Sequence, residues 1–156
     1  MPRFEETIDV DVPVRVAYDQ WTQFEEFPRF MEGVESVTQQ DERTLHWIAE
    51  IAGQRKEWTA VITDQTPDVR VAWKSITGDE NAGAVLFQSL DPGRTRLILR
   101  IDADPKGPVE TVGAALGFLQ RRVNGDLQRF KEFIESRGAA TGAWRGEIHG
   151  EEVTSR

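Results

Sequence analysis

From residue 4 to residue 12 the chain alternates between two sets of side chains, one of them nearly all apolar. A period of two is typical of a strand with one buried and one solvated face, so we predict a first strand here. Pro13 suits the first position of a helix, and apolar residues at helical spacing predict a helix through Trp21. A second short helix is predicted from Phe24 to Met31, although Pro28 requires it to begin or break there.

Beyond residue 34 the pattern becomes a series of strands separated by turn signals. The pair Gly53-Gln54 lies between two alternating segments and predicts a hairpin. In residues 83–90 both sets of side chains are fairly apolar, so the period alone leaves the buried face open. The predicted strands run from Val34 to the turn at residues 39–43, and then over 44–51, 56–63, 69–75, 83–90 and 95–103.

The longest helical signal comes last in the chain. Apolar residues step by three and four between residues 109 and 137, which predicts a helix about 43 Å long that ends at Gly138. Residues 139–156 carry too few apolar groups to extend the core, and we expect a polar, flexible tail. The order of elements predicts an α+β domain over residues 1–138. Its seven-stranded curved antiparallel sheet wraps on the long C-terminal helix, with two short helices between strands 1 and 2.

A straight helix cannot touch a concave sheet along its whole length, so this layout predicts an internal cavity. Strand tryptophans interleaved with small residues suit a lined cavity, although each one taken singly would more often be ordinary core. Gly113 and Gly117 have two explanations: close packing, or space that softens the helix at the cavity mouth. The predicted lining includes Phe30, Met31, Trp47, Ala49, Trp58, Ala60, Trp73, Ser75, Phe87, Leu99, Val112, Leu116 and Leu119.

Composition narrows the functions that such a cavity can serve. The chain has no cysteine, which excludes thiolate chemistry and favours a reducing cytoplasm. Its net charge of −8 disfavours nucleic acid and anionic lipid surfaces. The acidic start lacks the pattern of an export signal, and the longest apolar run, 112–119, is too short to span a bilayer. We expect a soluble, cytoplasmic protein with no nucleic-acid partner and no stable membrane insertion.

The sequence offers little catalytic apparatus. His46 is predicted on the face opposite Trp47, and His149 lies in the tail, so no two histidines share a metal-ligand spacing. No nucleophile elbow or phosphate-binding glycine motif is present, and we assign no catalytic residue, metal or cofactor. Arg121 and Arg122 are expected on a solvated helix face, with an anion contact as the alternative. Three strand carboxylates are predicted on the outward face of the sheet: Glu50, Glu57 and Asp102.

Three stretches of the chain carry a family likeness: WTQFEEFPRFMEGVESV at 21–37, HWIAEIAGQRKEWTAVITDQTPDVRVAWKSITG at 46–78 and GDLQRFKEFIE at 125–135. They resemble bacterial START-like (SRPBCC) proteins of the polyketide cyclase/dehydrase and lipid-transport grouping. The resemblance implies a helix-grip fold whose cavity binds a lipid, polyketide, quinone or similar apolar ligand. It also implies that Gly83, Val85 and Phe87 point inward, which adds Val85 to the predicted lining.

Three functions remain open at this point. The favoured one is binding of an apolar small molecule for transport, storage or presentation, because catalytic groups are scarce. The first alternative is a polyketide aromatase/cyclase that acts by positioning the chain. The second is a protein-interaction module that uses Trp144 and Ile148 of the tail.

Overall fold

The computed structural model describes residues 3–51, 53–78, 80–104 and 109–154. Three helices and nine strands make up this part of the chain. They are β1 Arg3–Val10, α1 Val14–Trp21, a 3-10 helix Phe24–Arg29, β2 Val34–Gln39, β3 Thr44–Ile51, β4 Gln54–Thr66, β5 Arg70–Ser75, β6 Glu80–Asp91, β7 Arg94–Asp104, α2 Val109–Arg137, β8 Glu147–His149 and β9 Glu152–Thr154.

The strands form one antiparallel sheet in the order β1-β7-β6-β5-β4-β3-β2. Register shifts interrupt three ladders, near residues 34–36, 62–64 and 89–91. Irregularities of this kind bend a strand and increase its twist, which curves the sheet. The predicted α+β layout of a mostly antiparallel sheet with a long C-terminal helix is therefore confirmed.

Of the three predicted helices, only the second differs from the helix in the structure. α1 follows Pro13 directly, and α2 ends before Gly138, whose φ of 70° suits glycine. The segment after α1 is a six-residue 3-10 helix with Pro28 inside it. A 3-10 helix of this length contains only a few backbone hydrogen bonds, so the missing N–H of Pro28 removes little from it. The proline therefore neither starts nor breaks this element.

The strand count of seven is wrong, because the C-terminal segment adds two short strands. β8 pairs with β4 and with β9, and Ile148 on β8 is fully buried in the core. The prediction that residues 139–156 add nothing to the core is therefore also wrong. Arg145 holds this segment to the body through Asp19 at 2.5 Å and Asp68 at 2.8 Å. The predicted division at residue 138 and the flexibility of the tail stay predictions.

The core lies between the inner face of the sheet and the second half of α2. Val123, Leu127, Phe130 and Ile134 are buried along one stripe of this helix. The preceding turns are less buried, since Leu116 and Leu119 are only half-buried. The helix therefore packs tightly at its C-terminal end and leaves space beneath its earlier turns, between residues 114 and 127.

Candidate ligand cavity

A cavity of about 730 Å³ lies between α2 and the concave face of the sheet. Its size falls within the range of about 300 to 1,000 Å³ that is typical of small-molecule pockets. Three strands meet there because alternate residues of β3, β4 and β5 point inward. Apolar side chains from these strands, β7, the 3-10 helix and α2 form the walls: Phe24, Phe27, Met31, Trp47, Ala49, Trp58, Ala60, Trp73, Leu99, Ile101, Phe118, Leu119, Val123 and Leu127.

One wall consists of stacked aromatic rings. Trp47 on β3 and Trp58 on β4 are directly paired across the ladder. Their ring centroids are 5.6 Å apart and the ring planes differ by only 7°. Phe27 packs against Trp47, with centroids 5.6 Å apart. The result is a continuous aromatic surface that faces the cavity.

The floor of the cavity depends on a glycine. Gly83 on β6 pairs with Trp73 on β5. A Cβ at residue 83 would lie 2.5 Å from a ring carbon of Trp73 and 2.6 Å from the carbonyl oxygen of Arg100. Gly83 therefore lets the indole lie close against the sheet backbone.

Polar bonds join α2 to the loop before β2 on the other side of the cavity. Arg122 Nη1 donates to the carbonyl oxygens of Glu32 at 2.7 Å and Glu50 at 3.3 Å. Arg122 also lies over the Phe118 ring, with its Cζ 4.7 Å from the centroid. Gly33 makes room for this arrangement, because a Cβ there would collide with the guanidinium. The expectation that Arg122 lies on a solvated face is therefore wrong, since the helix bridges to the sheet at this point.

Asp126 is an acid in the wall of this largely apolar cavity. Its side chain is 12% exposed. Oδ1 accepts hydrogen bonds from the backbone N–H of Glu32 at 3.0 Å and from Arg129 Nη2 at 2.5 Å. Burial raises the pKa of Asp126 to about 6, although both donors favour the charged form and oppose the shift. Near neutral pH this carboxyl group can therefore exist with or without its proton.

Eight of the predicted lining residues lie together in the cavity wall. They are Met31, Trp47, Ala49, Trp58, Ala60, Trp73, Leu99 and Leu119. Period counting found the six strand residues and Leu119 because each lies on the inward face of its strand or on the inner stripe of α2, whereas Met31 comes from the segment between the 3-10 helix and β2. Their role in binding a ligand stays a prediction.

Five predicted residues lie elsewhere. Phe87 packs against Tyr18 and Trp21 beneath α1, and Val85 is fully buried in the core. Both point inward, as the family resemblance implied, but at the end of the sheet that α1 covers. Phe30 packs between Phe27 and two phenylalanine rings of α2. Ser75 Oγ accepts a hydrogen bond from the N–H of Asn81 at 3.0 Å. Leu116 is half-buried and does not reach the cavity. The side chain of Val112 lies outside the described residues.

Sequence reasoning missed several lining residues. Phe24 and Phe27 come from the 3-10 helix, whose orientation a helical period of 3.6 does not predict. Ile101 continues the inner parity of Leu99 on β7 and could have been found by extending that count. Phe118 is adjacent to Leu119 and lies at the edge of the apolar stripe of α2.

Glu50 and Glu57, which were expected to face outward, lie at the opening of the cavity, whereas His46 and Tyr18 do not line it. His46 is bonded to Thr59 and Glu57 at 3.0 and 2.7 Å. Tyr18 is fully buried on the inner face of α1, where it packs against Phe87, and burial raises the pKa of its hydroxyl to about 12. Among the described residues no cluster of three or more histidine and acidic side chains could hold a metal ion.

Solved structures of other proteins share this architecture. A START superfamily protein from Mycobacterium smegmatis shares the fold, with a TM-score of 0.65, 18% identity, and coverage of 81% of this chain and 97% of that one. The Zhui aromatase/cyclase from Streptomyces sp. R1128 superposes with a TM-score of 0.76 at 18% identity, over 91% of this chain and 98% of that one.

Residues 10–132 match the sequence model of the family described as polyketide cyclase/dehydrase and lipid transport. The chain belongs to this family. An uncharacterized 17.2 kDa protein from the melC2-rnhH intergenic region of Streptomyces lincolnensis is 50% identical over 149 residues, which cover 95% of this chain and 99% of the relative. No helix within the described ranges combines the length and apolar character needed to cross a membrane.

Proposed function

We propose that the protein binds a hydrophobic small molecule in this cavity, for transport, storage or presentation. The observation that carries the proposal is the large space lined by the stacked pair Trp47 and Trp58 and by Trp73. A space of this size with apolar walls would be costly to leave unfilled, because its lining lacks the contacts of a packed core. A guest with a lipid, polyketide or quinone skeleton would supply those contacts.

Transfer of apolar surface from water supplies the driving force. Each Å² that the guest buries contributes about 25 cal/mol, before the cost of immobilising it. The aromatic wall adds stacking surface for flat or extended guests. A cytoplasmic location remains part of this proposal, because the chain contains no cysteine.

The first test is native mass spectrometry of the purified protein, followed by titration with the uncharged fluorescent probe N-phenylnaphthylamine. We expect a copurified apolar molecule, or saturable binding of the probe with quenching of tryptophan fluorescence. Trp58→Leu should weaken probe binding by about tenfold, since it removes half of the stacked wall. Phe87→Leu, which changes a buried ring outside the cavity, should leave binding unchanged. Absence of any guest together with failure of the probe to bind would refute the proposal.

A polyketide aromatase/cyclase is the second candidate function, and the position of Asp126 favours it. A carboxyl group with a pKa of about 6 in an apolar wall could accept or return a proton near neutral pH. The similarity to the Zhui aromatase/cyclase supports the fold required for this activity but not the chemistry. Turnover of a polyketide analogue that Asp126→Asn abolishes, with probe binding retained, would favour this candidate over simple binding.

The interaction module is less well supported. Ile148, one of the two tail residues on which that alternative rested, is buried against the core of this same chain. A partner that used Ile148 would have to displace β8 from β4.

A further inference from the structure

Two consecutive arginines on α2, Arg121 and Arg122, contribute to the lining of the cavity. Arg122 is half-buried, and the bonds it makes are to carbonyl oxygens of Glu32 and Glu50. Carbonyl groups satisfy its N–H donors but do not cancel its positive charge. Asp126 is close enough for the charge of Arg122 to act on it, but its carboxyl group is already bonded to Arg129.

Arg121 is less engaged in hydrogen bonds than Arg122 among the described residues. It is exposed, and no side chain in the described part of the protein forms a hydrogen bond or ion pair with it. Its Nη1 lies 3.6 Å from the position that a Cβ on Gly117 would occupy, so the guanidinium folds back along the helix over a residue without a side chain. The glycine therefore leaves open space next to a guanidinium that has no ion-pair partner among the described residues.

The acids around the opening lie mainly on the opposite side. Glu50, Glu57 and Glu80 belong to the sheet and are exposed, and Glu57 is shared between His46 and Arg55. Glu32, near α2, lies 3.5 Å from Arg129. On the sheet side these acids are accompanied by Arg55 and Lys56. On the α2 side, Arg121 and Arg122 outnumber Asp126 in the lining, and Glu6, which lies near Arg121 in a shallow second pocket, accepts hydrogen bonds from Gln120 and Asn124.

We propose that the guest of the cavity carries an anionic oxygen group, a carboxylate or a phosphate, which Arg121 binds at the opening with Arg122 beside it. The apolar part of the same molecule then lies along the aromatic wall. A guanidinium presents several N–H donors in a planar fork that suits both kinds of anion. This inference rests on the proposed function, and it adds the chemical class of the guest.

The test uses three competitors with one chain length: tetradecanoic acid, tetradecyl phosphate and tetradecanol, each displacing N-phenylnaphthylamine from the full-length protein. In the wild type we expect at least one of the two anions to bind about five- to tenfold more tightly than the alcohol, as one partly exposed charge-assisted contact allows. The comparison between acid and phosphate identifies which anion is preferred. Arg121→Gln should bring the anions to within about twofold of the alcohol, while binding of the alcohol itself is unchanged.

Lys74→Gln is the matched control, because it removes the same charge from an exposed residue of β5 that does not line the cavity. It should leave the preference for the anion intact. Equal binding of acid, phosphate and alcohol to the wild type would overturn this inference while the proposed function stands. An anion preference that Arg121→Gln leaves unaltered would do the same. If neither the probe nor any competitor binds, both the proposed function and this inference are refuted.

Discussion

Trp47 and Trp58 face each other across the β3–β4 ladder in a nearly parallel stack, with centroids 5.6 Å apart. Because the two rings share one contact surface, their contributions to stability should not be independent. A double-mutant cycle with Trp47→Leu and Trp58→Leu is expected to give a coupling energy of about 0.5 to 1.5 kcal/mol in chemical denaturation. A cycle that pairs Trp58→Leu with Ile134→Val, far along α2, should be additive within about 0.5 kcal/mol. Additivity of the tryptophan pair would contradict the stack.

Two glycines that differ in surroundings should respond oppositely to alanine. At Gly83 an added Cβ meets the backbone oxygen of Arg100 at 2.6 Å, so Gly83→Ala should destabilise the protein by about 1 to 3 kcal/mol. At Gly113 no described atom lies within 4 Å of that position, and Gly113→Ala should stabilise α2 by about 0.5 to 1 kcal/mol. Thermal unfolding of both variants checks the pair, and the same sign for both would be inconsistent with the structure. This open space at Gly113 also argues against close packing as the reason for that glycine.

Asp126 should make stability depend on pH in a recognisable direction. Its pKa is raised to about 6 in the folded protein, whereas an unfolded chain has an aspartate pKa of about 3.9, so the folded state binds more protons between these values. The contribution of Asp126 to the free energy of unfolding should therefore fall by about 1 to 2 kcal/mol as pH rises from about 4 to about 6.5, and this fall should be absent in Asp126→Asn. Urea denaturation at several pH values measures this slope. Glu132→Gln removes an exposed carboxylate of the same helix and serves as the control; a slope unchanged in Asp126→Asn would rule out this role.

The C-terminal strands should contribute measurably to stability. Ile148 is fully buried between β8 and the core, so Ile148→Ala is expected to cost about 2 to 4 kcal/mol in urea denaturation. The neighbouring His149 is exposed, and His149→Ala should change stability by less than about 0.5 kcal/mol. A negligible effect of the isoleucine substitution would mean that residues 139–154 are mobile in solution, as their composition suggests.

How far the sequence determines this fold can be judged from particular segments. The alternation around Trp47, Trp58 and Trp73 was strong enough to predict both the strands and the side of the sheet on which these rings lie. Ile148 had no such pattern, because β8 has only three residues and places a single apolar side chain between charged or polar neighbours. Its burial comes from a long-range pairing with β4 that local periodicity does not encode.

The cavity itself was predicted better than its boundaries. The alternation along the strand, together with the family resemblance, placed Phe87 correctly on the inner face of the sheet. Alternation does not show which part of that face packs against α1 and which part borders the cavity beneath α2. The division depends on where α1 packs, as the contact of Tyr18 with Phe87 shows. The sequence pattern places Arg122 in solvent because its bonds go to the backbone carbonyls of Glu32 and of Glu50 on β3, and side-chain periodicity does not encode contacts with backbone acceptors.

The missing side chain of Gly83 affects the volume of the cavity. Since the Trp73 indole rests against the bare backbone of residue 83, any larger residue there would tilt the ring into the space above it. Under the proposed function, a larger residue at this one position would limit the cavity to shorter or narrower guests without any change in the rest of the wall. Residue 83 is thus a natural place to alter size selectivity.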